Sequence, residues 1–205
     1  PAFRKAIDFQ GEGGNGQALR LYEAQLSLGI HVALVSGSDR HLVFPVGFPT
    51  TWVLAGTRDV TGVLDGIRAR HTFVARSPVS ATVELAVAIG GATYAMGDKI
   101  PVPAGGASAE VTVRVRRGEG ARIRLIRGAR TDDAGLAAAD LGQIAFETFA
   151  DSPDCQATTT LALAPGDWLY PVVHERLAAP GLDPALAAKI PAMAAAMSEF
   201  TEDNY

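Results

Sequence analysis

Two periodicities divide the chain, and the change falls near residue 79. Up to that point the apolar residues come in short continuous runs or at helical spacing. Ala6–Gln10 reads as a short buried strand. Gln17–Leu28 reads as a helix, because Leu19, Tyr22, Leu26 and, less regularly, Leu21 recur near a 3.6-residue period. Gly29 stands where a helix C-terminal glycine belongs. His31–Val35 is nearly all apolar, the pattern of a strand buried on both faces in a parallel sheet. Thr50–Ala55 is a further strand, and Thr61–Ala69 a short helix with Val63, Leu64 and Ile67 facing inward. This order predicts a right-handed βαβ crossover.

From residue 79 the period becomes two. In "ATVELAVAIGG", Val83, Leu85, Val87 and Ile89 share one face. "AEVTVRVRRG" turns Val111, Val113 and Val115 inward and Thr112, Arg114 and Arg116 toward solvent. "ARIRLIRG" continues with Ile123 and Leu125, while Ile126 falls off register. "QIAFETFAD", "ATTTLALAPG" and "DWLYPVVHE" follow between Gly, Pro and Asp turns, which predicts a β-sandwich. Residues 176–205 read as a helical tail packed on the body. It starts at Asp183-Pro184, is kinked at Pro191, and carries Leu182, Leu186, Ile190, Met193, Met197 and Phe200 at 3–4 spacing.

The 205 residues are 48% hydrophobic and 20% charged, enough apolar material for a core. A net charge of -4 argues against a nucleic-acid backbone as partner. No apolar run is long enough for a membrane span. The single Cys155 excludes an intrachain disulfide, and four histidines limit any site built within the chain. The chain opens on Pro1 rather than methionine, the start expected of a processed, clipped or truncated product.

Two motifs invite a functional reading. "GEGGNG", Gly11 to Gly16, spells G-x-G-x-x-G, the fingerprint of a dinucleotide loop. Its candidate ribose acid, Asp39, lies 28 positions after Gly11, and too few βα units follow for a doubly wound sheet. The second motif is "LVSGSDRH". Here an apolar run ends in a small-residue turn, followed by Asp39 and His41 two apart, on the same side of an extended chain. Carboxylate and imidazole together suit Zn, Mn or Fe. On local chemistry alone, Asp39 capping a turn and His41 lying in a surface loop is an equally good account.

Beyond that motif, "VGFPTTWVLAG" and "VLDGIRARHTFVARSP" follow in order. The series resembles the C-terminal end of a PHP-superfamily (polymerase and histidinol phosphatase) metallohydrolase of the CehA/McbA-like branch. In that family a G-S-D-x-H motif ends a barrel strand, and its Asp and His are the last metal ligands; here these are Asp39 and His41, with Gly37 and Ser38 as the turn. A G-x-P-x-T segment follows, here Gly47, Pro49 and Thr51. Arg70-His71-Thr72-Phe73 stands where the family has Gly-Arg-Thr-Phe. "MGDKIPV" and "GDWLYPVV" resemble parts of an appended sandwich. The similarity is close over residues 5–78 and loose over 79–175.

The fold class expected is therefore α+β and multidomain. Residues 1–78 form the last βα units of a distorted TIM-like (PHP) barrel, residues 79–175 an Ig-like β-sandwich, and residues 176–205 the helical tail. The resemblance implies the C-terminal part of a metal-dependent hydrolase, foremost a phosphoesterase, with an ester or carbamate hydrolase also open. Asp39 and His41 serve as catalytic metal ligands for divalent Zn, Mn or Fe, and Arg40 and Ser38 contact the substrate. In a barrel the Gly11–Gly16 loop opens on the same face, so Glu12 and Asn15 are candidates to line the substrate entrance. The family's N-terminal ligands have no counterpart here. The chain is thus expected to be a fragment whose remaining barrel segment lies in a removed portion of the parent or on a partner chain. His31, His71 and His174 read as structural or surface residues. The alternative is a non-catalytic binding module built on the β-sandwich, with a remnant of the barrel attached.

Overall fold

The computed structural model describes residues 14–37, 47, 49–132 and 141–175. Among them two helices and nine strands follow one another: α1 (Gly14–Ser27), β1 (Thr50–Val53), α2 (Val60–Arg68), β2 (Thr72–Ala75), β3 (Thr82–Ile89), β4 (Ala92–Ala95), β5 (Ala107–Arg116), β6 (Arg122–Ala129), β7 (Gln143–Phe149), β8 (Asp154–Leu163) and β9 (Asp167–His174). The strands form a pair, β1-β2, a four-stranded sheet in the order β4-β3-β5-β8, and a three-stranded sheet in the order β7-β6-β9. All pairings are antiparallel.

The two larger sheets share one core. Leu85, Val87, Ile89, Val111, Val113, Val115, Ala157 and Leu163 of the four-stranded sheet belong to the same buried cluster as Ile123 and Leu125 of β6. Each comes from the inward phase of a period-two pattern, because successive Cβ atoms leave a strand on opposite faces. The outward phase is paired across strands, Thr112 with Thr158 and Arg114 with Gln156. Ile126, the residue that broke the alternation, sits at a register shift: the β6–β7 pairing slips between Leu125 and Ile126. Leu125 faces Phe146 and Ile126 faces Ile144, so the extra residue is Ala145 on β7, a bulge that leaves β6 itself in continuous register with β9.

Helix α1 lies on the three-stranded sheet through a stripe that is small and polar. Glu23, Ala24 and Ser27 are its buried residues, whereas the periodic Leu19, Leu21, Tyr22 and Leu26 are half-buried. The reason is on β9. A buried tryptophan and tyrosine each need a partner for their polar ends. Trp168 Nε1 donates to Ser27 Oγ at 3.3 Å, and the Tyr170 hydroxyl donates to Glu23 Oε1. Two glycines make the room: a Cβ at Gly128 would lie 2.0 Å from Trp168 Cζ2, and one at Gly142 would lie 2.8 Å from Glu23 Oε1. The helix ends at Gly29 as expected. Gly29 has φ +73, its N–H bonds Leu26 O, and Ile30 N–H bonds Gln25 O, the paired bonds of a left-handed C-terminal cap.

The barrel expectation for residues 1–78 is overturned. Among the described residues the structure is mostly strand, with two helices and three antiparallel sheets in place of a TIM-like barrel segment. Residues 31–37 carry no ladder pairing, so the apolar run His31–Val35 is no sheet strand. The unit β1-α2-β2 is no parallel crossover either, since β1 and β2 pair antiparallel, Val53 opposite Thr72. The helix closes on itself. Leu54 N–H bonds His71 O at 2.9 Å, and His71 N–H bonds Gly66 O at 2.9 Å, so β2 starts beside the end of β1. Gly62 and Gly66 permit this: a Cβ on them would lie 2.3 Å from Thr57 O and 2.7 Å from Leu54 O. With the glycine face turned in, Val63 and Leu64, expected inward, are exposed. Ala6–Gln10 and the expected tail, 176–205, lie outside the described residues.

Candidate functional site

The described residues on either side of the Asp-x-His motif, Ser36 and Gly47, are hydrogen-bonded to the start of one strand. Before the motif, Thr51 Oγ1 accepts from Ser36 N–H at 2.7 Å, donates to Ser36 O at 3.0 Å, and lies 3.2 Å from Ser36 Oγ. After the motif, the Thr50 hydroxyl donates to Gly47 O. Adjacent residues of a strand project to opposite faces. The two threonines that open β1 therefore bond one described residue before the motif and one after it.

A second constellation joins the β1-α2-β2 unit to the sandwich. Arg70 occupies the left-handed position after α2 with φ +63, where a glycine is usual. Its Nε and Nη2 both donate to Gly97 O, at 3.1 and 3.0 Å. Gly97 itself, with φ +99, lies so close that a Cβ would be 2.5 Å from Arg70 O. Beside this contact His71 Nε2 bonds Asp98 Oδ1 at 3.1 Å, and Asp98 Oδ2 accepts Ala95 N–H at 2.8 Å. The Ala95 amide, followed by the His71 hydrogen bond, holds the Asp98 carboxyl below the usual carboxylate range. The other non-glycine residue with positive φ, Arg117 at +61, reaches back from the sandwich. Its guanidinium stands 5.9 Å from the centre of the Trp52 ring, which stacks on Phe73. Strained backbone of this kind persists where surrounding contacts fix it.

An open groove of about 310 Å³ runs along α2, with Thr57, Thr61, Asp65 and His71 as its polar lining. Asp65 is engaged by Arg68 at 2.9 Å, and His71 by Asp98. His31 is a spectator: partial burial, then the charges of Lys99, Arg70 and Arg130, push its imidazole below the usual range.

The residues chosen from sequence, Ser38, Asp39, Arg40 and His41, lie outside the described residues, as does Glu12. Asn15 falls in the first turn of α1. The structure does place Thr51 and Gly47, members of the motif series, in the bonds made on either side of the motif. Sequence reading missed the buried Glu23–Tyr170 pair, the His71–Asp98 bond and the threonine grips. Apart from the Thr50–Gly47 bond these are not local, since Glu23 and Tyr170 are 147 positions apart and Ser36 and Thr51 are 15 apart. Among the described residues no group of three or more His, Cys, Asp or Glu could hold a metal ion, and no helix is long and apolar enough to cross a membrane. The chain matches no protein-family model, no curated protein and no solved structure.

Proposed function

We propose that this chain supplies the Asp39–His41 part of the site of a metal-dependent hydrolase that acts on a phosphoester. The observation that carries the reading is the hydrogen bonding of the described residues on either side of the Asp-x-His motif. Ser36 and Gly47, on either side, are bound to Thr51 and Thr50 of one strand. A ligand pair needs such fixed feet, because reactive groups must sit within a fraction of an ångström of productive geometry. A divalent metal supplies a Lewis acid and makes water nucleophilic near neutral pH. Asp39 and His41 hold the ion, Arg40 clamps phosphoryl oxygens with its planar fork, and Ser38 adds a hydrogen bond.

The same region supports a partner segment. Ile30, Val35, Leu54, Val60, Val63, Leu64, Val74 and Val79 are all exposed, and all lie between residues 30 and 79. A polypeptide that covers these side chains also brings the further metal donors that Asp39 and His41 require. The test is metal content and p-nitrophenyl phosphate hydrolysis, measured on the chain and on a longer product of the same parent. We expect Asp39→Ala and His41→Ala each to lower metal occupancy of the longer product at least tenfold and to abolish turnover. Full occupancy in both variants sinks the hydrolase reading and favours the non-catalytic binding module.

A further inference from the structure

We propose that the chain self-associates through the free edge of β8, which pairs antiparallel with β8 of a second copy about a two-fold axis at Thr159. An edge strand offers unpaired N–H and C=O groups to any other strand, and folds blunt such edges by shortness, bulges, charge or proline. The two larger sheets end in β4 and β8, and in β7 and β9. Three of these edges are blunted. β4 has four residues. β7 is broken by the bulge at Ala145 and carries Glu147. β9 carries Pro171, and a proline in an edge strand turns its missing N–H toward the open side. β8 has none of these devices. It runs ten residues, Asp154–Leu163, roughly twice the usual length. Its register with β5 is unbroken, from Asp154 opposite Arg116 to Leu163 opposite Ala107. It holds no proline and no basic residue, and its one charge, Asp154, stands at its first position. Backbone groups along an antiparallel strand turn alternately toward one neighbour and away from it. About half of the β8 units therefore face outward, with no strand among the described residues to take them.

The occupant that fits this edge is β8 itself. Directly opposite residues of an antiparallel pair share a face. Gln156, Thr158, Thr160 and Ala162 are exposed, whereas Ala157 and Leu163 are buried toward the core. Only a two-fold axis that passes through a residue keeps the two faces in phase, because a slip of one position exchanges them. With the axis at Thr159, every threonine of the run meets a threonine: Thr159 its own copy, and Thr158 the Thr160 of the second copy. On the core side Leu161 meets the small Ala157, and Cys155 meets Leu163. Asp154 falls just beyond the paired residues, 155–163, so no like charges stand opposite each other. The Thr112 and Thr158 hydroxyls already lie 3.1 Å apart across β5 and β8, and the second copy extends that threonine row over the axis. The joined sheet then ends at the short β4 of each copy, so two-fold symmetry closes the assembly with no open edge of β8 left.

Analytical ultracentrifugation of the full 205-residue chain should show a reversible dimer of twice the 21.4 kDa chain mass. A chain that stays monomeric up to about 1 mM overturns the proposal. Thr158→Lys combined with Thr160→Lys changes two exposed positions and sets lysines opposite each other across the axis. The pair should weaken dimerisation more than about tenfold, with the far-UV circular dichroism unchanged. A dimer of wild-type strength in that variant overturns the proposal. Should the lysines unfold the chain, Thr159→Cys decides. It brings two thiols to facing positions, within reach of a disulfide after a small shift. Mild oxidation should link its copies into a covalent dimer on a non-reducing gel. The wild type, whose Cys155 faces Leu163 across the axis, should stay unlinked. Failure of Thr159→Cys to link, or equal linkage of the wild type, overturns the proposal.

Discussion

The sandwich, from Thr82 to His174, and the region that precedes it handle their apolar residues in opposite ways. In the sandwich, Val111, Val113, Val115, Ile123 and Leu125 are at most 1% exposed, and two sheets close over them. Between residues 30 and 79, eight large apolar side chains face solvent, against Ile144 and Phe149 in the sandwich. The difference teaches that the two regions are stabilised by different means. The sandwich stands on burial. The earlier region is held by specific polar contacts to its neighbours: Ser27 with Trp168, Glu23 with Tyr170, Arg70 with Gly97, His71 with Asp98.

The comparison can be broken most sharply in the sandwich. Ile123→Ala, at a site with no exposure, should cost about 3 kcal/mol through lost burial and the cavity left behind, read from urea unfolding. A loss under about 1 kcal/mol would mean that the shared core does not dominate stability.

A smaller effect tests the polar junction. Asp98→Asn should cost roughly 1 kcal/mol at pH 7, a figure discounted because the carboxylate is more than a third exposed. The carboxyl is depressed in the fold, so its contribution is fully present above the ordinary value near about 3.9 and is lost as pH falls through the lower folded value. Thermal melts of wild type and variant should therefore converge in acid. A gap that persists at low pH would assign the effect to packing alone.

The smallest effect concerns the exposed face. Val60→Ser and Leu64→Ser, each changing an exposed side chain of α2, should alter stability by less than about 0.5 kcal/mol in the same urea titration. A loss comparable to that of Ile123→Ala would show this face to be covered already and would erase the contrast between regions.

The same contrast governs how far the sequence could be read. In the sandwich β3, β5 and β8 alternate with period two and pack on the face that this alternation defines, so Val111 and Val113 announce their environment locally. The bulge beside Ile126 was not visible, because its extra residue, Ala145, is on the partner strand β7. Before residue 79 the deciding forces were not local. His31–Val35 has the composition of a buried strand, but pairing depends on a partner strand rather than on composition, and residues 31–37 have no ladder partner. Helix α2 has a strong apolar face, yet Gly62 and Gly66 set which side approaches β1, because close backbone contact needs the absence of a Cβ. The seat of α1 was hidden for another reason. Glu23 and Ser27 look like solvent residues until Tyr170 and Trp168 arrive from β9 to satisfy them. For the candidate site, Asp39 and His41 were singled out by motif, whereas the threonine bonds to the neighbouring Ser36 and Gly47 became visible only with the fold.

The chain has two tryptophans, one in each region. Trp52 lies on β1 against Phe73 with the Arg117 charge beside its ring, and Trp168 lies under α1 with its N–H on Ser27. The molecule thus carries its own pair of optical reporters. Replacing either with phenylalanine leaves a single tryptophan, so the fluorescence of one chain can follow loosening of the β1-β2 pair separately from lifting of α1 off the sheet.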